Sequence, residues 1–219
     1  MHVVIAGGHG KIALILERLL SQRGDTVAGF IRNPAQSADL QAAGAEPVVL
    51  DLEKAWVDKV AHHLHGADAV VFAAGAGPGS GAARKETVDR DAAILLADAA
   101  QAAGVRRYVM ISAMGADPQA TADDEVFQAY LRAKGAADEA IRARTALHAT
   151  IVRPGLLTND AGTGRVRIAA STGRGSIPRE DVAAVLVAVL DEPATAGATF
   201  ELISGDTPIR EAVAAIAGR

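Results

Sequence analysis

The sequence predicts an α/β fold in which a doubly wound parallel sheet makes a single domain, and three observations predict it. Short apolar runs alternate with segments of helical period from residue 3 to residue 152, the pattern of successive β-α-β units. A glycine cluster joins the first apolar run to the first amphipathic segment, in Val3-Val4-Ile5-Ala6-Gly7-Gly8-His9-Gly10-Lys11-Ile12-Ala13. Aromatic residues are only 3% of a chain that is 50% hydrophobic, so the core is built from Ala, Val, Leu and Ile, which suits helices packed closely on a parallel sheet.

Residues 3–6 form the first strand, and the glycines at 7, 8 and 10 turn the chain sharply into a helix with apolar positions Ile12, Leu14, Ile15, Leu16, Leu19 and Leu20. Arg23-Gly24 ends that helix. The second strand spans 26–31 and closes at Arg32-Asn33-Pro34. A helix over 35–43 leads to a third strand over 46–50, which ends in Asp51-Leu52-Glu53. Residues 56–64 read as a modest helix, 69–74 as a fully apolar strand, and 76–81 as a glycine-rich loop. A long helix over 85–103 is stopped by Gly104 and followed by a fifth strand over 108–112. After an irregular stretch to about residue 124, a helix over 125–144 and a sixth strand over 149–152 complete the alternation, ending in Arg153-Pro154-Gly155.

Beyond Gly155 the regularity falls off, leaving a short strand over 167–170, a helix over 179–190, a strand over 199–203 and a helix over 209–217. This part is too short to fold alone and is expected to extend the same sheet as a small C-terminal, substrate-covering wall. Residues 1–219 therefore read as one domain, with 155–219 forming that wall.

Composition excludes several classes of chemistry. A net charge of -4 gives no basic field, so nucleic acid is not an expected partner. The absence of cysteine removes disulfides, thiolate metal sites and cysteine nucleophiles together. No run of about 18 apolar residues occurs, so no membrane partner is expected and the protein is placed in the cytoplasm. His62, His63 and His65 lack the His-Glu-x-x-His spacing, so no metal site is expected, and no Gly-x-Ser-x-Gly elbow supports a serine hydrolase.

In an open parallel sheet, ligands bind beyond the carboxyl ends of the strands, near the point where strand order reverses. Those ends carry Gly7, Gly8, His9, Gly10, Lys11 and Ile12, then Arg32, then Asp51 and Leu52, then Ala73, Ala74 and Gly75, then Ser112, and finally Pro154, Gly155, Leu156 and Leu157. Together they read as a Rossmann-like dinucleotide site, with the pyrophosphate at the glycine turn. Where an NAD site carries Asp or Glu at the end of the second strand, this chain has Arg32, whose guanidinium can grip a 2′-phosphate, so the expected cofactor is NADP(H). Tyr130 and Lys134 stand four apart on one helix face, in the helix that follows the strand ending at Ser112.

On Gly7-x-x-Gly10-x-x-Ala13, Arg32, Asp51, Ser112, Tyr130-x-x-x-Lys134, Thr150-Ile151-Val152-Arg153-Pro154-Gly155 and Arg179-Glu180-Asp181-Val182-Ala183, the sequence resembles the short-chain dehydrogenase/reductase superfamily, in its atypical NAD(P)-binding branch. The resemblance covers essentially the whole chain. It implies Tyr130 as general acid/base, Lys134 as the group that lowers the tyrosine's pKa and binds the nicotinamide ribose, and Ser112 as the group that polarises substrate. Where the superfamily carries an asparagine, the chain offers Asp91, a carboxylate able to hold Lys134 cationic. The implied activity is that of an NADP(H)-dependent oxidoreductase moving a hydride to or from a small carbonyl, quinone or flavin-like substrate. A nucleotide-sugar epimerase or dehydratase and a non-catalytic NADPH-sensing regulator are the alternatives, and the short segment after Gly155 disfavours a nucleotide-sugar pocket. The expected partner is a small-molecule substrate, and the protein is expected to be a monomer or homodimer.

Overall fold

The computed structural model describes residues 1–77 and 79–217. The first half alternates as the sequence pattern requires: β1 (His2–Ala6), α1 (Lys11–Gln22), β2 (Thr26–Ile31), α2 (Ser37–Ala42), β3 (Glu46–Val49), α3 (Val57–His62) and β4 (Ala69–Phe72). Then come α4 (Ala82–Arg84), a π-helical segment over Lys85–Asp91, α5 (Ala92–Ala102), β5 (Arg107–Ile111), α6 (Glu125–Arg142) and β6 (His148–Pro154). The last part contains β7 (Leu156–Thr158), β8 (Arg165–Ala169), β9 (Ser176–Pro178), α7 (Arg179–Asp191), β10 (Thr199–Ser204), β11 (Thr207–Pro208) and α8 (Ile209–Ala217).

Nine strands form one sheet in the order β11-β8-β10-β6-β5-β4-β1-β2-β3. From β3 through to β10 every neighbouring pair is parallel, while β8 runs antiparallel to β10 and β11 antiparallel to β8. Strand order reverses at β1, since β2 and β3 lie on one side of it and β4, β5 and β6 on the other. The fold is thus a Rossmann-like, mostly parallel α/β single domain.

Helices cover both faces, which is why strands such as Val3-Val4-Ile5-Ala6 are buried without alternation. One apolar layer joins Val3 and Ile5 to Leu16 and Leu20 of α1 and to Val182, Val185, Leu186 and Val189 of α7. The other joins Val4 and Ala6 to Leu96 and Ala100 of α5 and to Ile141 of α6. Helices α1 and α7 lie side by side and parallel. At their carboxyl ends Arg23 meets Asp191 at 2.7 Å, and at their amino ends Lys11 and Arg179 both reach Asn159.

The structure departs from the sequence pattern in two places. The predicted helix over 85–103 is interrupted, because its first part is wound as a π-helix before α5 begins. The wider turn accommodates three buried side chains within seven residues, Lys85, Val88 and Asp89. The short strands β7, β9 and β11 also add to the expected set; β7 and β9 pair parallel in a small sheet of their own. Two or three residues are too few to display a period, so these strands are fixed by tertiary pairing.

Three glycines, Gly8, Gly29 and Gly135, set close approaches near the ligand face. A Cβ on Gly135 of α6 would overlap the backbone of Asp117, so the 112–124 stretch rests directly on that helix. Glu17 of α1 is fully buried against Gly8 and Gly29, and neither carboxyl oxygen has a hydrogen-bond partner. Burial pushes this carboxyl up from 4.5 to about 8.

Candidate active site

The carboxyl ends of β1 and β4 flank the reversal in strand order, where a parallel sheet takes its ligands. Gly7 has a φ of +83°, and a Cβ there would stand 2.6 Å from the Ala74 Cα, so only glycine lets the β1 turn and the end of β4 touch. The Gly10 N–H donates to the Gly7 carbonyl at 2.9 Å and the Gly8 N–H to the Phe30 carbonyl at 3.0 Å, which locks the turn to itself and to β2. Gly10 caps α1 without a side-chain hydrogen bond, so the donors that open the helix at Lys11 and Ile12 are left for a ligand. Gly7, Gly8, Gly10, Lys11, Ile12, Ala73 and Ala74 therefore come together as a cradle. His9 points elsewhere, its Nε2 lying 2.7 Å from Asp39 of α2.

On one flank Arg32 directly follows β2, and its guanidinium meets Glu53 at 3.0 Å. Glu53 also accepts from Arg84 at 3.1 Å and from Thr87 at 2.8 Å. Burial acts to raise the Glu53 carboxyl, but the Thr87 hydrogen bond and the Arg84 and Arg32 charges outweigh it and hold the group below the usual range. The pattern had marked Asp51 and Leu52 here; Asp51 accepts from the Glu53 N–H at 3.1 Å and faces Lys54, and Leu52 packs against the apolar layer. The carboxylate that meets Arg32 is Glu53.

At the centre, α6 presents Tyr130, Lys134 and Asp138 at intervals of four, one stripe facing the sheet. Lys134 is 3% exposed. Its Nζ donates to the Ile111 carbonyl at 3.1 Å and to the Ala74 carbonyl at 3.5 Å, lies over the Phe72 ring, and stands 3.3 Å from Asp89 Oδ1. Asp89, from the π-helical segment, also accepts from the Ala76 N–H at 3.2 Å, and its carboxyl borders Gly75. This corrects the expectation for Asp91, which is exposed and pairs with its neighbour Arg90 at 2.6 Å. The inner face of α5 carries Ala92, Ala93, Leu96 and Ala97; one turn back, that face includes residue 89 and leaves residue 91 outside.

Ser112 is 3% exposed at the end of β5, and its Oγ has no well-aligned partner. It lies close enough to Asp138 to lower that carboxyl's affinity for a proton. Burial dominates, however, and raises the Asp138 pKa against the combined pull of Ser112, Arg153 and Lys134. Arg153 holds Asp138 Oδ2 from Nη2 at 2.7 Å and from Nε at 2.8 Å. Asp138 was missed from the sequence, although it continues the Tyr130-Lys134 stripe by one more step of four.

Tyr130 stacks on Phe127 with ring centroids 6.1 Å apart, and the Lys85 ammonium lies 5.5 Å from its ring. Burial raises its phenol, and the Asp89 and Asp138 carboxylates raise it further. Lys134 is turned into the sheet towards Asp89 and two carbonyls, which leaves the phenol in its protonated form. The last wall comes from Pro154, whose carbonyl accepts from the Met114 N–H at 3.0 Å, and from Gly155, Leu156 and Leu157. Gly155 is pressed against Gly175, Leu156 is 74% exposed, and the Leu157 carbonyl accepts from Arg179 at 3.4 Å.

The cradle that a Cβ would fill, the open start of α1 and the buried Ser112 hydroxyl fit an elongated ligand with a phosphate group at one end and a reacting group at the other. A family model described as NAD(P)H-binding matches residues 7–193. A Bacillus subtilis protein named as an uncharacterized sugar epimerase, YhfK, is 39% identical over 97% of this chain and 99% of its own. A solved structure from Bacillus halodurans, described as a candidate NAD-dependent epimerase/dehydratase, has a TM-score of 0.89 at 37% identity, covering 98% of this chain and 99% of that one. The structure of the oxidoreductase ylbE from Lactococcus lactis has a TM-score of 0.88 at 26% identity, covering 100% of this chain and 98% of that one.

Proposed function

Because the chain belongs to the NAD(P)H-binding family, matched over residues 7–193, we propose that it is an NADP(H)-dependent oxidoreductase moving a hydride to or from a small carbonyl, quinone or flavin-like substrate. The observation that carries this reading is Ser112 Oγ, a buried hydroxyl at the carboxyl end of β5 whose neighbour is the Asp138 carboxyl. Such a donor can turn from Asp138 to aim its O–H at a substrate oxygen where negative charge develops.

The dinucleotide would be held by the Gly7–Gly10 turn, Lys11 and Ile12 at its phosphates, by Arg32 at the adenosine ribose, and by Lys134 with Ala73, Ala74 and Gly75 near the nicotinamide ribose. When bound in reduced form it supplies the hydride. Arg32 and Arg84 place two guanidinium groups around the one Glu53 carboxylate, a net positive patch that supports preference for a 2′-phosphate. Tyr130 and Phe127 offer a flat aromatic wall, with the phenol as a neutral hydrogen-bond donor. Leu156 and the rest of the 155–219 segment would cover the substrate. That segment adds β8, β10 and β11 to the sheet already present and pairs β7 with β9 beside it, a small addition that supports a small substrate.

The Bacillus subtilis relative's name keeps a sugar epimerase as the second reading. NADPH consumption against a panel of aldehydes, ketones, quinones and free flavins separates them. An oxidoreductase consumes NADPH with at least one acceptor class. Conversion of a nucleotide sugar with no net loss of NADPH overturns the first reading in favour of the second, and tight binding with no turnover of either kind points to a sensor.

A further inference from the structure

Lys11 opens α1, Arg179 opens α7, and the two side chains meet at one neutral atom. The Arg179 guanidinium donates to Asn159 Oδ1 at 2.8 Å, and the Lys11 ammonium approaches the same oxygen at 3.5 Å. The only other acceptor on Arg179 among the described residues is the Leu157 carbonyl, at 3.4 Å. No carboxylate of the described residues lies within ion-pair distance of either cation. The nearest acids in sequence are used elsewhere: Glu180 accepts from the Gly162 N–H, and Asp181 from the Thr163 and Gly164 N–H groups. By contrast, the other ends of the same two helices are neutralised, since Arg23 meets Asp191.

Two like charges gathered on an amide oxygen repel one another, and an anion seated between them removes that cost while gaining two charge-assisted hydrogen bonds. The geometry points to Arg179 as a cofactor-binding residue that grips the pyrophosphate together with Lys11, with Asn159 as the bracket that holds both cations. The ligand class is thus a diphosphate diester, and the inference rests on the dinucleotide reading above. The glycine turn touches the pyrophosphate through backbone N–H groups only, whereas Arg179 adds a charged clamp supplied by the last third of the chain.

The test is titration of the wild type, Arg179→Ala and Arg179→Lys with ADP-ribose, NADPH and adenosine 2′-monophosphate, with thermal unfolding as the check on folding. ADP-ribose carries the pyrophosphate and lacks nicotinamide, while the monophosphate carries only the group expected at Arg32. Arg179→Ala is expected to raise the Kd of ADP-ribose and NADPH alike by about 10-fold or more, with Arg179→Lys between it and the wild type. The monophosphate Kd is expected to stay unchanged. Wild-type affinity for ADP-ribose in a folded Arg179→Ala protein overturns the clamp, and a raised KM for the acceptor alone reassigns Arg179 to substrate. An equal loss for all three ligands also overturns it, as a general effect on the fold. If the wild type itself binds neither NADPH, NADH nor ADP-ribose, the dinucleotide reading falls and the clamp falls with it.

Discussion

Asp89 Oδ1 stands 3.3 Å from Lys134 Nζ with both side chains almost wholly enclosed, so the lysine charge is compensated inside the fold before any ligand arrives. Asp89→Asn leaves that ammonium among carbonyl oxygens, with Asp138, already held by Arg153, as the remaining carboxylate near it. Removing one member of a buried pair costs about 3–5 kcal/mol, and urea unfolding of Asp89→Asn is expected to show a loss of that size. Asp91→Asn, on an exposed side chain, is expected to leave the midpoint in place. Equal effects of the two substitutions contradict the assignment.

The same pair governs what Tyr130 can do. With Lys134 committed to Asp89, and with burial and two carboxylates raising the phenol, no tyrosinate forms near neutral pH. Tyr130→Phe is therefore expected to lower kcat by less than about 10-fold, below the 100-fold or more of a positioned general acid. The profile of kcat against pH is expected to show no Tyr130 ionisation up to pH 9. A drop of several hundredfold restores the tyrosine to the proton-transfer role that the resemblance implies.

Glu17 makes the fold sensitive to pH. The folded chain keeps this proton up to about pH 8, whereas an unperturbed carboxyl releases it near 4.5. Between those values the unfolded state binds fewer protons, so this group lowers stability by about 1.4 kcal/mol for each unit of rising pH. Its contribution is complete below 4.5 and lost once the pH has passed 8. Glu17→Gln is expected to flatten that slope and to be the more stable protein at pH 8.5, read from denaturant midpoints across the range. An unchanged slope refutes the assignment.

Coenzyme preference turns on the contest between Glu53 and a 2′-phosphate for Arg32. Arg32→Ala is expected to reduce the NADPH-to-NADH affinity ratio about 10-fold or more, and Glu53→Gln to raise it. Fluorescence titration with both coenzymes measures the ratio directly. If neither substitution changes it, the 2′-phosphate is not read at this position.

Gly135→Ala drives a methyl group into the Asp117 backbone and forces the 112–124 stretch away from α6. A stability loss of about 1–3 kcal/mol is expected, with reduced activity because Ser112 begins that stretch. Ala136→Gly, one position on, serves as the control for helix propensity.

The fold was legible because β1, β2, β4, β5 and β6 are fully or nearly buried and its helices carry regular apolar stripes, so β1, α1, β2 and α6 stand close to where the period puts them. Less of the site could be read. Glu53 lies two residues past Asp51 in a turn whose shape depends on α4 and Thr87, which are distant in sequence. Asp89 required extending the α5 stripe backwards through a π-turn, and Glu17 sits on an apolar helix face where a carboxylate has no local signature. Asp138 alone had a plain mark, the step of four from Lys134. The joining of Lys11 to Arg179 has none, because nothing in local sequence tells which helix will lie beside α1.

That neighbour has a bearing on biosynthesis. Helix α1 leaves the ribosome well before α7, yet α7 covers its apolar face, and the tie between Arg23 and Asp191 spans 168 residues. At about 5–20 residues per second, α1 waits about 8–34 s for its cover. During that interval the glycine turn and α1 display Leu16, Leu20 and their neighbours to solvent or to a chaperone, and the ligand cradle matures only once α7 has been made.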